Sequence, residues 1–178
     1  MNSFPIMKLR FIIISILMTA CTAKSQVKVG DKVPVFTLRD QNGKTFNLSD
    51  HLGKKYLVIY FYPKDETKGC TAEACTFRDS YSQFQNNDAE VIGISSDTQQ
   101  SHKKFAEHHN LPFTLLSDPG GKTRKLFGVP RSMMGLIPGR VTYVVDKQGI
   151  IRLIFNSQVK FDEHATEALN IIKAEEKN

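Results

Sequence analysis

The reading of the fold turns on Tyr56-Leu57-Val58-Ile59-Tyr60-Phe61-Tyr62-Pro63-Lys64-Asp65-Glu66-Thr67-Lys68-Gly69-Cys70-Thr71-Ala72-Glu73-Ala74-Cys75. Residues 56–62 are almost wholly apolar or aromatic and β-prone, which predicts a strand buried on both faces, ended by Pro63. From Cys70 the period changes. Ala74, Phe77, Tyr81 and Phe84 recur at steps of three and four, so the spacing predicts a helix over 70–84. Cys70 therefore stands between the end of a buried strand and the first turn of a helix. Unpaired N–H groups and the positive end of the helix dipole favour a thiolate there, and the thiolate is the nucleophilic form. Gly69 allows close backbone approach and is expected to expose the sulfur. Lys64 and Lys68 support the local field, whereas Asp65 and Glu66 oppose it.

Working outward, residues 35–39 and 44–47 flank Asp40-Gln41-Asn42-Gly43, where Asn-Gly predicts the turn of a small hairpin. Residues 91–95 form a second buried strand, and Asp97 or Thr98 is positioned to cap a helix running to about His109. A short strand over 113–116, a short helix over 122–127 and a glycine- and proline-bearing loop over 131–139 come next. Strands over 141–146 and 150–155 form a hairpin, and a helix over 163–173 closes the chain. Strands alternating with helices, then a hairpin and a last helix, indicate an α/β architecture. The expected class is a thioredoxin-like fold, a central mixed β-sheet flanked by helices, with an N-terminal β-hairpin.

With 178 residues, 40% hydrophobic and 24% charged, the chain suits one ordinary globular domain, expected over 27–178. Three cysteines are too few for a disulfide-built scaffold. The formal charge of +6 is scattered among acids rather than gathered in a stripe, which argues against a nucleic-acid surface. Lys8 and Arg10 precede the apolar run 11–18, too short to span a bilayer. Small residues follow it, so 1–20 reads as a secretory signal, followed by a linker over 21–26. Met18-Thr19-Ala20-Cys21 resembles the box at which bacterial lipoproteins are cut and lipidated, here at Cys21. Simple cleavage after Ala20 or Ala23, or a start at Met7, is the plainer alternative. Either way the expected location is exported, in a bacterial periplasm or on a membrane as a lipoprotein. The five histidines show no metal-ligand spacing with the cysteines; His102, His108 and His109 are expected to be solvated, and His51 and His164 have no visible partner.

Pro63, Thr67 and Cys70 stand at the spacing Pro-x-x-x-Thr-x-x-Cys, which resembles the active-site signature of peroxiredoxins. Cys75, the neighbouring Thr76-Phe77-Arg78-Asp79, and Pro138-Gly139-Arg140-Val141-Thr142-Tyr143-Val144 are similar to the peroxiredoxin Q, or bacterioferritin comigratory protein, subgroup. The similarity runs from about Val29 to about Ile172. It implies a peroxidase of hydrogen peroxide and organic hydroperoxides. Cys70 would attack the peroxide, Thr67 and Arg140 would stabilise thiolate and leaving oxygen, and Pro63 would shield the pocket. Cys75 would resolve the sulfenic acid as an intramolecular disulfide, reopened by a thioredoxin or similar dithiol protein. No metal or organic cofactor is implied, and a monomer is expected. On an intact helix, residues five apart lie ~8–9 Å apart between Cα atoms, beyond the ~4.4–6.8 Å of a disulfide. Oxidation is therefore expected to unwind residues 70–76.

Three other readings are weaker. A thioredoxin-type disulfide oxidoreductase would use Cys-x-x-Cys, whereas four residues separate Cys70 from Cys75. A copper chaperone on the same fold would place its cysteines three residues apart with a distant histidine. Two structural cysteines in a binding domain would leave peroxide untouched.

Overall fold

The computed structural model describes residues 26–132 and 134–176. The expected leader over 1–20, Cys21 and the linker up to residue 25 lie outside the described residues. β3 (Tyr56–Phe61) is buried along its whole length. It pairs in parallel with β4 (Ala89–Ser95) and antiparallel with β8 (Val141–Val145). Side chains alternate across a strand. Val58 and Tyr60 accordingly join the core on one face of the sheet, while Leu57, Ile59 and Phe61 join the core on the other. Two buried faces explain the unbroken apolar run.

The seven-stranded sheet has the order β2-β1-β5-β4-β3-β8-β9, with β1 (Thr37–Asp40), β2 (Thr45–Asn47), β5 (Thr114–Ser117) and β9 (Ile151–Asn156). The N-terminal hairpin is no separate flap: β1 pairs antiparallel with β5 and extends the sheet. Its turn is closed by Asp40, whose Oδ1 accepts from the N–H groups of Asn42 and Lys44, each at 2.8 Å. Gly43 supplies the positive φ of +81°. The mixed, helix-flanked sheet expected from the alternation is what forms.

Helices α1 (Lys68–Asp79), α2 (Tyr81–Asn86), α3 (Gln99–His108) and α5 (Glu163–Glu175) supply Phe77, Phe84, Phe105 and Ile172 to one core. Residue Phe127, just after α4 (Lys122–Leu126), packs in the other. The helix expected over 70–84 begins two residues earlier and breaks at Ser80. There the backbone leaves the helical region, and the Ser80 carbonyl accepts from both Gln83 and Phe84. The three-and-four spacing survives the break because Phe77 and Phe84 fill the same core. Thr98, not Asp97, caps α3, accepting from the Ser101 N–H at 3.2 Å. The segment expected as a loop over 131–139 contains a short antiparallel pair, β6 (Arg131–Ser132) with β7 (Ile137–Pro138).

Candidate functional site

Thr67 is the N-cap of α1, in extended conformation, and its carbonyl accepts from the Thr71 N–H at 2.8 Å. Cys70 follows in the first turn of that helix. Its thiol is free and only 1% exposed, at the floor of a cleft of about 470 Å³. The cleft is lined by Pro63, Thr67 and Gly69 from the loop side, and by Ser132, Ile137, Arg140, Gln158, Val159 and Phe161 from across the sheet end. The expectation that Gly69 exposes the sulfur is corrected. A Cβ at Gly69 would lie 2.7 Å from the Phe161 ring and 3.4 Å from Arg140 Nη2, so glycine is needed because a ring and a cation close over the helix start.

Arg140, at the foot of β8, reaches the sulfur: Nη2 donates to Cys70 Sγ at 3.3 Å. Its Nη1 donates to Glu73 Oε2, and its guanidinium lies 4.9 Å from the centre of the Phe161 ring. Glu73 sits one turn after Cys70, fully buried. Burial, opposed by the Arg140 charge, pushes its carboxyl up to about 8. The other Glu73 oxygen, Oε1, has no hydrogen-bond partner among the described residues. His164 is buried beside it, with Nδ1 at 3.5 Å from Oε1. Burial drives the His164 imidazole down to about 4, so it is neutral, donating from Nε2 to the Ser157 carbonyl and accepting from Thr142 Oγ1 at 2.7 Å. A neutral imidazole whose Nδ1 already accepts a hydrogen bond offers Glu73 nothing.

Behind the loop lies a second buried network. Asp65 receives Tyr62 Oη at 2.7 Å, Ser101 Oγ at 2.7 Å and His102 Nδ1 at 3.0 Å. His102 Nε2 reaches the Leu116 carbonyl at 3.2 Å. The expected solvation of His102 is corrected: the ring is fully buried, because the loop before Cys70 folds its carboxylate onto α3. His164 is likewise buried and partnered, and His51 pairs with Glu90 at 2.9 Å.

Of the five residues singled out for catalysis, four line or floor one cleft: Pro63, Thr67, Cys70 and Arg140. Thr67 Oγ1 donates to the Lys64 carbonyl at 3.1 Å rather than to the sulfur. Cys75, free and half-buried, stands apart on the same helix beside Arg78, which donates to Asp79 and to the His109 carbonyl at 2.9 Å. Arg131 donates to the carbonyls of its own turn at Gly135 and Leu136. Glu73, Phe161 and His164 escaped the sequence reading. Glu73 alone left a signal, as an acid on the buried stripe of α1 beside Ala74 and Phe77.

The chain belongs to the AhpC/TSA family, whose model matches residues 29–154. Within it, the chain is similar to proteins of the peroxiredoxin Q group. Chloroplastic peroxiredoxin Q from Populus jackii is 52% identical over 153 residues, 86% of this chain and 71% of that protein. Its counterpart from Triticum aestivum is 53% identical over 148 residues, covering 83% and 68%. Among solved structures, the peroxidoxin BcpB from Mycobacterium tuberculosis superposes with a TM-score of 0.77 at 38% identity, covering 84% of this chain and 98% of that one. A cysteine-to-serine mutant of PrxQ from Xylella fastidiosa gives 0.78 at 32%, covering 85% and 99%. The protein is thus a peroxiredoxin with a thioredoxin-like fold, a thiol peroxidase. The expected bacterial periplasmic or lipoprotein location is corrected by the relatives at 50–53% identity from Populus jackii, Sedum lineare and Triticum aestivum, which are plant proteins named as chloroplastic. The reason is physical: a basic, acid-free start with an apolar run is common to several kinds of leader, and an address is read by a receptor rather than set by spacing.

Proposed function

We propose that Cys70 is the peroxide-attacking residue and Cys75 its resolving partner. The observation that carries the first role is the Arg140 guanidinium 3.3 Å from the Cys70 sulfur at the floor of a cleft. The thiolate attacks one oxygen of the hydroperoxide; the S–O bond forms as O–O breaks, leaving cysteine sulfenic acid and an alkoxide or hydroxide that takes a proton. Charge develops on the leaving oxygen, where a fixed cation lowers the barrier. Arg140 supplies it, Thr67 offers a hydroxyl at the cleft wall, and Pro63 keeps water from the sulfur. Ile137, Val159 and Phe161 give the cleft an apolar side suited to organic hydroperoxides as well as hydrogen peroxide.

Cys75 then displaces water from the sulfenic acid to form a disulfide. With both thiols on the intact α1, five residues apart, their Cα atoms stand ~8–9 Å from each other. The first turns must therefore unwind. A thioredoxin-like dithiol protein returns two electrons and reopens the bond; exposed Val159 on the cleft wall, with exposed Met134 and Leu136 between β6 and β7, offers it an apolar landing. The chloroplastic relatives suggest a plastid as the setting.

The test is peroxide consumption by wild type, Cys70→Ser and Cys75→Ser with a dithiol reductant. Loss of activity in the first, and a single turnover in the second, are expected. Undiminished turnover in Cys70→Ser would end the assignment. Helical circular dichroism is expected to fall on oxidation, and an oxidised chain with undiminished helix would remove Cys75 from its role.

A further inference from the structure

The loop that leads to Cys70 carries a second chemical grouping, outside the lining of the cleft. Glu66 meets two adjacent imidazoles at the end of α3. Its Oε1 lies 3.2 Å from His108 Nδ1, and its Oε2 lies 3.1 Å from His109 Nε2. All three ligand-capable atoms fall within 4.8 Å of one another. We infer that Glu66, His108 and His109 form a binding site for a divalent transition-metal ion of the zinc type.

The donor set suits that chemistry. Two imidazoles and one carboxylate are borderline nitrogen and oxygen ligands, and three protein ligands leave a position for water. Metal–ligand distances of ~2.0–2.2 Å put tetrahedral donors ~3.3–3.6 Å apart by simple geometry. The two Glu–His separations, 3.2 and 3.1 Å, lie just below that range but are made by different carboxylate oxygens, so the carboxylate must turn to offer one oxygen and the ligand atoms must close from within 4.8 Å. The same atoms that share protons now would then share a cation.

His109 and the loop that carries Glu66 are also held from behind, as metal ligands generally are. His109 is 17% exposed, its ring set edge-on to Phe105 with centroids 5.0 Å apart. Its carbonyl is taken by Arg78. The His108 and His109 rings lie with centroids 4.3 Å apart, so both face the same carboxylate. Glu66 adopts φ +58°, a left-handed conformation uncommon for a non-glycine residue, which turns its side chain over the end of α3. The neighbouring Asp65 fixes the loop in that pose through its buried partners. A loose surface ion pair has none of these supports.

The site brackets the helix that must unwind. Glu66 precedes Cys70 by four residues, and Arg78, bonded to His109, follows Cys75 by three. A bound ion ties the loop and the start of α1 to α3. Resting on the proposed Cys70–Cys75 step, this predicts that the metal slows disulfide formation and hence turnover.

The binding arm uses the full chain with Cys21, Cys70 and Cys75 changed to serine, so that no thiol competes. Zinc titrated against a chromophoric chelator is expected to show one ion per chain, and cobalt to give visible absorption bands. His108→Ala and His109→Ala each are expected to weaken binding at least about tenfold. No binding, or binding unchanged in both variants while circular dichroism shows them folded, would overturn the site. The activity arm compares zinc inhibition of wild type with that of His108→Ala, a residue 70% exposed whose loss leaves metal-free turnover unchanged. Inhibition confined to wild type supports the coupling; equal inhibition in both overturns it. Absence of peroxide turnover without metal would count against the assignment of Cys70 and leave the binding result standing.

Discussion

Two buried carboxylates flank Cys70, and they behave in opposite ways. Asp65, on the loop before the helix, is 4% exposed, and Glu73, one turn inside it, is 0% exposed. Burial alone would raise both. At Asp65 the hydrogen bond and charge of His102, with the hydroxyls of Ser101 and Tyr62, overcome that and hold the carboxyl below its ordinary range. At Glu73 one guanidinium serves one oxygen, and burial prevails, raising the carboxyl to about 8. The lesson is that donors, not depth, decide whether a buried acid stays ionised. One carboxylate is thereby an anchor for the loop; the other is a movable proton beside the cation that faces the sulfur.

The largest effect is expected from Arg140→Leu, which strips Glu73 of its partner and the sulfur of its cation. Peroxide reduction by stopped flow should fall about 100- to 1000-fold, and a loss under tenfold would mean that another group stabilises the leaving oxygen. Next comes the contrast in stability. Asp65→Asn puts an amide NH2 where the buried Tyr62, Ser101 and His102 groups meet the carboxylate, leaves a donor unpaired, and should cost about 1–3 kcal/mol in urea unfolding. Glu73→Gln replaces a carboxyl inclined to neutrality by its neutral likeness and should cost under about 1 kcal/mol. Equal losses would break the comparison.

The pH dependence sharpens it. Asp65 binds its proton less tightly when folded, so its contribution is present above about 3.8 and is lost as pH falls through the lowered folded value. Glu73 binds its proton more tightly when folded. Stability from it declines as pH rises from about 4.5 to about 8 and is level beyond. Unfolding free energies of wild type and Glu73→Gln, measured from pH 5 to pH 9, should therefore converge or cross within that window (about 4.5–8) and run parallel above it. The smallest effect belongs to Glu90, whose partner His51 is partly solvated. Glu90→Gln should change stability by under about 1 kcal/mol.

Much of this molecule was legible in its residues, and the reason is periodicity. The unbroken apolar run 56–62 and the three-and-four spacing after Cys70 are local patterns, and both survive as β3 and α1 with modest shifts of boundary. The alternation of strands and helices carried the sheet class, and the spacing of Pro63, Thr67 and Cys70 marked the loop that forms the cleft wall. Arg140 was found through a motif at the foot of a strand, and the sheet does deliver it to the sulfur.

The buried polar partners were not legible, because each pair is assembled by elements distant in sequence. Asp65 and His102 are 37 residues apart, Glu73 and Arg140 are 67, and nothing local to either member names the other. An isolated histidine on a polar-looking helix reads as solvated until the loop before Cys70 is laid against it. So the chain's own pattern determined where the reactive thiol stands, at a strand end entering a helix. Tertiary packing alone decided which charges surround it, since whether a buried group is ionised depends on donors that only folding brings within about 3 Å.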